Sequence, residues 1–205
     1  MPPLGAAVDS QCGAVPAVRR EPYVAASDFG SGFVMQCARI LLVTAAPGVD
    51  AATLLRTVEE RGVPGASFHA CEATGVSSSH LMARDYESAA AGMATTIDRW
   101  VACLARREGL CVLEGHVLPS TARDAFARHH VDGHILVVDG AHADSDAPLA
   151  MGELLSLPSA DRARWATDLR TEARALELPV LDLSPRDIGA AVDALHAHIA
   201  TLAAV

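Results

Sequence analysis

The segment His134–Gly140, HILVVDG, is an almost unbroken run of branched apolar residues. Such a strand has no polar face to turn to water, so both its faces must be covered, as in a parallel sheet layered with helices. It should sit at or near the sheet's centre. Four other short apolar runs accompany it: Arg39–Thr44 (RILLVT), Ala66–Ala70 (ASFHA), Leu110–Gly115 (LCVLEG) and PVLDL, which ends at Leu183. Helix-forming segments alternate with them. Ala51–Gly62 has helical spacing and a Gly stop, and Ala83–Gly109 repeats apolar residues every three or four positions from Tyr86 to Leu104. Leu118–His130 begins at a Pro-Ser pair, Ser159–Leu178 offers Ser159 as an N-cap, and the last helix carries Pro185 in its first turn. This order predicts right-handed crossovers and an α/β three-layer sandwich, a five-stranded parallel sheet with helices on both faces.

At 205 residues the chain suits one core. Residues 1–34 read as a mobile N-terminal extension without a signal-peptide pattern, and residues 35–205 as a single α/β domain. Met35, just before the first strand, is an alternative start. No uninterrupted apolar run is long enough for a bilayer, so no membrane partner is expected. The five cysteines, at positions 12, 37, 71, 103 and 111, are odd in number and lack paired CxxC spacing. They suggest reduced thiols and a cytoplasmic protein. All 16 basic residues counted under Lys plus Arg are arginine. The composition, rich in Ala and free of Lys, matches GC-rich coding, and it removes every chemistry that needs an ammonium side chain: Schiff bases, lysine general bases and the phosphate-binding lysine of a P-loop. A formal charge of −9 argues against nucleic acid and for a small-molecule ligand. A homodimer is compatible with the apolar composition.

The turn after the first strand is AAPGVDAAT, Ala45 to Thr53. It aligns without a gap with G-x-P-G-x-G-K-S-T, and with the strand order this chain resembles the P-loop kinase-like superfamily of small nucleoside, nucleotide and metabolite kinases. Pro47, Gly48 and Thr53 match. Ala45 and Asp50 stand at two motif glycines, Ala51 at the lysine and Ala52 at the magnesium-binding hydroxyl. A P-loop works through backbone N–H groups and a helix N-terminus aimed at phosphate, with glycines permitting close approach. Asp50 instead puts a carboxylate where phosphate would lie; like charges about 4 Å apart repel by about 1 kcal/mol in water and several-fold more in a shielded site. Three readings stand: a plain strand-to-helix turn with Asp50 as N-cap, a modified anion site, or nucleotide binding rescued by arginine.

Glu114 and His116, in LEGHVLPS, lie where open α/β sheets form their ligand crevice, and a carboxylate beside an imidazole suits acid–base work. The resemblance implies a magnesium or acceptor-activating role for Glu114. Asp139 and His142 end the next strand, so that Glu114 and Asp139 are expected to face one cleft. Asp144 and Asp146 follow in a loop without diagnostic metal spacing, so no metal centre is expected. Relatives bring lid arginines to the phosphoryl group, which points to Arg162, Arg164 and Arg123. His129, His130 and His134 fall at the opposite edge of the sheet, His196 and His198 cannot share a helix face, and Ser77–His80 lacks a nucleophile elbow.

The candidate catalytic residues are therefore Glu114, His116 and Asp139, and the candidate cofactor-binding residues Pro47, Gly48, Asp50, Thr53, Arg123, Arg162 and Arg164. ATP with magnesium is disfavoured, and no other cofactor is legible. A degenerate kinase-like protein that binds or transforms a small metabolite in the former acceptor cleft is the leading expectation. An atypical kinase using arginine and a non-catalytic assembly protein are the alternatives.

Overall fold

The computed structural model describes residues 38–46, 49–70, 85–140, 157–183 and 188–205. Outside them lie the expected extension, Pro47, Gly48, the Ser77–His80 loop, His142, Asp144, Asp146 and Pro185. The elements run β1 (Arg39–Ala45), α1 (Ala51–Arg61), β2 (Ala66–Ala70), α2 (Tyr86–Leu104), β3 (Leu110–Glu114), α3 (Pro119–His129), β4 (Asp132–Gly140), α4 (Ser159–Ala175), β5 (Val180–Leu183) and α5 (Ile188–Ala203). The five strands form one sheet in the order β2-β3-β1-β4-β5, with every neighbouring pair parallel. This is the expected α/β sandwich.

Strand order fixes the layers. The β1-to-β2 connection runs one way along the sheet and the next three run the other way, so right-handed crossovers put α1 on one face and α2, α3 and α4 on the opposite one. The packing agrees: α1 lies against α5, and α2 against α3 and α4. β1 is hydrogen-bonded on both sides, and Ile40, Leu41, Leu42 and Val43 are fully buried between the two helix layers. β4 carries the apolar run Ile135–Val138 next to it, near the centre as its composition requires. A smaller apolar cluster of Tyr86, Ala89, Leu157 and Trp165 joins α2 to α4.

Element ends differ from the pattern reading for local reasons. α2 begins at Tyr86, because Asp85 is extended and its carboxylate accepts from the Ser88 N–H at 2.8 Å, an N-cap that periodicity does not reveal. β4 starts at Asp132, whose N–H donates to the Ala38 carbonyl and whose register partner is Arg39. Ser159 is the first residue of α4, with Pro158 in the cap position and no side-chain cap, so the expected Ser159 N-cap is corrected.

Gly133 is required by packing. A Cβ there would lie 2.0 Å from Cδ2 of Phe126, a buried ring on α3. Gly133→Ala is expected to destabilise by about 1–3 kcal/mol through overpacking. In a Phe126→Leu background the same substitution should cost clearly less. Urea unfolding of the double-mutant cycle checks this, and equal costs in both backgrounds would contradict it.

Candidate functional site

The C-terminal ends of all five strands share one edge of the sheet, and the turn from β1 to α1 crosses it. In that turn three described amides have protein acceptors. The Val49 N–H donates to the Ala46 carbonyl at 3.0 Å, the Ala51 N–H to the Val49 carbonyl at 3.0 Å, and the Thr53 N–H to Asp50 Oδ1 at 2.9 Å. Asp50 is thus the N-cap of α1, with its carboxylate occupying a donor that an anion would otherwise take. Ala51, at the position of the motif lysine, is 2% exposed and opens α1 as part of the core. Of the cofactor-binding candidates, Asp50 and Thr53 are therefore partners of each other.

The loop after β3 is tied to the end of β1. The Gly115 N–H donates to the Val43 carbonyl. The buried Thr44 hydroxyl donates to the Val117 carbonyl at 2.7 Å and accepts from the Val117 N–H at 3.1 Å. His116 Nδ1 lies 2.9 Å from the Ala45 carbonyl oxygen. A carbonyl only accepts, so Nδ1 carries the proton and Nε2 is left to accept from, or when protonated donate to, a ligand. His116 thereby fastens the β3 loop to the residue from which the β1 turn departs.

Glu114 opens onto a groove between α1 and the edge strand β2. Its lining is Ala52, Leu55, Arg56 and Glu59 from α1, Phe68, His69 and Ala70 from β2, and Val112 and Glu114 from β3, around about 150 Å³ of free volume. Burial and the neighbouring Arg107 charge lower the His69 pKa, with Glu59 opposing, so the imidazole is neutral near neutral pH. Its ring also sits 5.8 Å from Trp100.

Asp139 does not join Glu114. Glu114 and Leu136 both register with Val43, and side chains alternate along a strand, so Asp139, three residues beyond Leu136, projects to the other face. There it accepts two bonds of 2.8 Å from the Arg170 guanidinium of α4. The Arg170 hydrogen bond, with the Gly140 N–H bond and the nearby Arg174 charge, holds the Asp139 pKa below its ordinary value against a smaller effect of burial. The expectation of one shared acidic cleft is corrected: the two carboxylates lie on opposite faces of the sheet.

The arginine candidates are not gathered at the site. Arg164 reaches Glu87 at 2.8 Å and lies over the Tyr86 ring at 3.9 Å, while Tyr86 donates to Asp168 at 2.5 Å. Arg123 is exposed on α3, and Arg162 has a buried Nε with no hydrogen-bond partner. Three of the histidines set aside on sequence grounds have local partners: His129 with Asp98, His134 with Asp132, and His196 with the Gly62 carbonyl. Among the described residues no group of three or more His, Cys, Asp or Glu could hold a metal ion. Sequence reading missed Arg56, Glu59 and His69. Their signal was present: Ala52, Leu55, Arg56 and Glu59 recur at three- and four-residue steps of one helix beside a weakly apolar strand.

Two expectations follow. Asp50→Ala removes the α1 cap and should cost about 1 kcal/mol, a Tm loss of about 2–4 °C for a chain of this size; an unchanged melting curve would contradict it. For Asp139 the folded pKa lies below the unfolded value of about 3.9, so its stabilisation is complete above that value and disappears as pH falls through the folded pKa. Asp139→Asn should therefore be less stable than wild type near neutrality, with the difference narrowing below about pH 4, as read from urea melts across the acid range. A difference independent of pH would refute this.

No family model and no curated protein matches the sequence. Solved structures do. A gluconokinase from Sinorhizobium meliloti superposes with a TM-score of 0.56 at 15% identity, covering 82% of this chain and 95% of that one. A deoxyadenosine kinase from M. mycoides superposes with a TM-score of 0.51 at 6% identity, covering 79% and 98%. At such identities the likeness speaks for the fold. With the all-parallel β2-β3-β1-β4-β5 sheet and the turn from β1 into α1, it establishes that this chain has the P-loop kinase-like fold.

Proposed function

We propose that this chain is a degenerate kinase-like protein that has lost ordinary ATP-dependent phosphoryl transfer and binds or transforms a small metabolite at the Glu114 end of the sheet. The observation that carries this reading is the internal use of the loop's donors. Val49, Ala51 and Thr53 give their amides to Ala46, Val49 and Asp50, so that binding a triphosphate there would first require breaking these bonds. Each exchange of a made hydrogen bond for a new one yields little net free energy. The charge that would drive the exchange is also missing, because Ala51 replaces the cation and Asp50 adds an anion.

The ligand end keeps its features. Glu114 opens onto the groove, His116 holds the loop with Nε2 available for proton exchange, and both sit at the strand ends that bind ligands in open α/β sheets. The likeness to two kinases named for small metabolites supports a small-molecule occupant. A cytoplasmic setting belongs to the same proposal, supported by the free thiols of Cys103 and Cys111.

Two measurements test the reading. ATP, GTP or ADP at millimolar concentration, with or without magnesium, should leave Tm unchanged; a ligand at about a hundred times its Kd would stabilise by about 2.7 kcal/mol. For a metabolite found by thermal-shift screening, Glu114→Gln should weaken binding by about tenfold or more, the loss of one charged hydrogen bond. Asp139→Asn, on the opposite face, should leave it unchanged. A nucleotide-dependent shift, or a ligand indifferent to Glu114, would overturn the proposal.

A further inference from the structure

Ser67 and His69 lie two residues apart on the edge strand β2, so alternation turns both side chains to one face. Ala70 registers with Glu114 and shares its face, so Ser67 and His69 take the other, where the His69 ring sits 5.8 Å from Trp100 of α2. Ser67 Oγ is 3.1 Å from His69 Nε2 and 3.6 Å from Sγ of the buried Cys111, its register partner on β3. A hydroxyl has one proton, and the imidazole nitrogen is both the nearer and the stronger acceptor. That bond puts the ring proton on Nδ1 and aims the Ser67 hydroxyl at the electron pair of Nε2. Burial, then the charge on Arg107, lowers the His69 pKa against the opposing Glu59, which keeps the ring in this accepting form near neutral pH. Ser67 and His69 are both partly exposed, so a small molecule can reach them.

We propose that Ser67 is an acyl-accepting nucleophile, with His69 as its general base, for small acyl donors with an acidic leaving group, such as thioesters and aryl esters. A serine hydroxyl is a weak nucleophile until an adjacent base takes its proton, and that base must lie within about 2.6–3.2 Å. In the step, Ser67 Oγ bonds to the donor's carbonyl carbon while its proton passes to His69 Nε2. The bond from that carbon to the leaving group breaks, and the leaving group departs with the proton from Nε2 as a thiol or a phenol. A water molecule deprotonated by Nε2 then releases the acid and restores the hydroxyl. The donor class follows from the base: a lowered pKa reduces the driving force for proton transfer, which suffices for a thiolate or phenolate and not for an amine. The chain contains no lysine, so no side-chain amine competes for the acyl group. This pair lies on the opposite face of the sheet from Glu114 and does not depend on metabolite binding there.

Incubation of the full chain with p-nitrophenyl acetate provides the test, following p-nitrophenolate release and mapping the acetyl group in acid-quenched samples by fragment mass spectrometry. The acetyl ester should map to Ser67. Ser67→Ala and His69→Gln should each slow the protein-dependent release by about a hundredfold, the lower range for a positioned general base. Ser67→Thr keeps the hydroxyl on a residue suited to a strand and should retain part of the rate, which separates loss of the nucleophile from loosening of β2. In the wild-type chain the rate should rise with pH to a plateau, with a midpoint below the ordinary imidazole value of about 6.5. p-Nitroacetanilide, the amide of the same acyl group, should leave the protein unmodified. Release unchanged by Ser67→Ala or by His69→Gln, acetylation confined to cysteines, or equal reaction with the anilide would each overturn the assignment.

Discussion

The two-sided pairing of β1 is the constraint on which the rest depends. Because β3 and β4 are hydrogen-bonded to it in parallel, residue 43 fixes the level of Glu114 on one side and of Leu136 on the other. Period-two alternation then decides the face of every side chain beyond that level. Thr44 and Asp139 face the α3 and α4 layer, where one bonds Val117 and the other Arg170. Glu114 faces α1 and borders the groove. A one-residue slip would exchange these roles, and full burial of Ile40 to Val43 prevents it. The placement of Asp139 and Glu114 on opposite faces of the sheet is thus a consequence of register.

The same strand launches the turn that differs from the P-loop pattern at Ala45, Asp50, Ala51 and Ala52. A phosphate cradle needs amides that point outward and a cation to meet them. Here the amides of Val49, Ala51 and Thr53 have protein acceptors, and a buried alanine stands at the cation's position. Asp50 supplies a local cap to α1, so that the Thr53 N–H in the first turn of the helix has a protein acceptor. Stability of the helix start and affinity for triphosphate are therefore opposed at this position. His116 and Thr44 meanwhile keep the neighbouring β3 loop in place by bonds that involve neither Asp50 nor Ala51.

The fold was largely legible because its signals are composition and order: unbroken apolar runs in β1, β3 and β4, helical spacing between them, and a Pro-Gly pair in the sequence after β1. Cap-dependent limits were not. Asp85 and Pro158 mark the starts of α2 and α4 through backbone geometry that periodicity does not encode. The N-cap reading of Asp50 was visible, since an aspartate directly precedes a helical pattern. The relation between Glu114 and Asp139 was not, because it depends on the strands' register against β1 rather than on spacing in either strand. Arg56 escaped notice for a different reason. An exposed arginine on an amphipathic helix resembles any solvated charge until the edge strand opposite it is known.

The central claim is that the turn between β1 and α1 commits the amides of Val49, Ala51 and Thr53 to protein acceptors and does not receive a triphosphate. The most direct test is a titration of isotopically labelled protein with magnesium ATP, following the backbone N–H resonances of Val49, Ala51 and Thr53. The account predicts that these three resonances keep their positions up to millimolar nucleotide. Saturable shifts at all three, with or without magnesium, would contradict it and restore the turn as a nucleotide site.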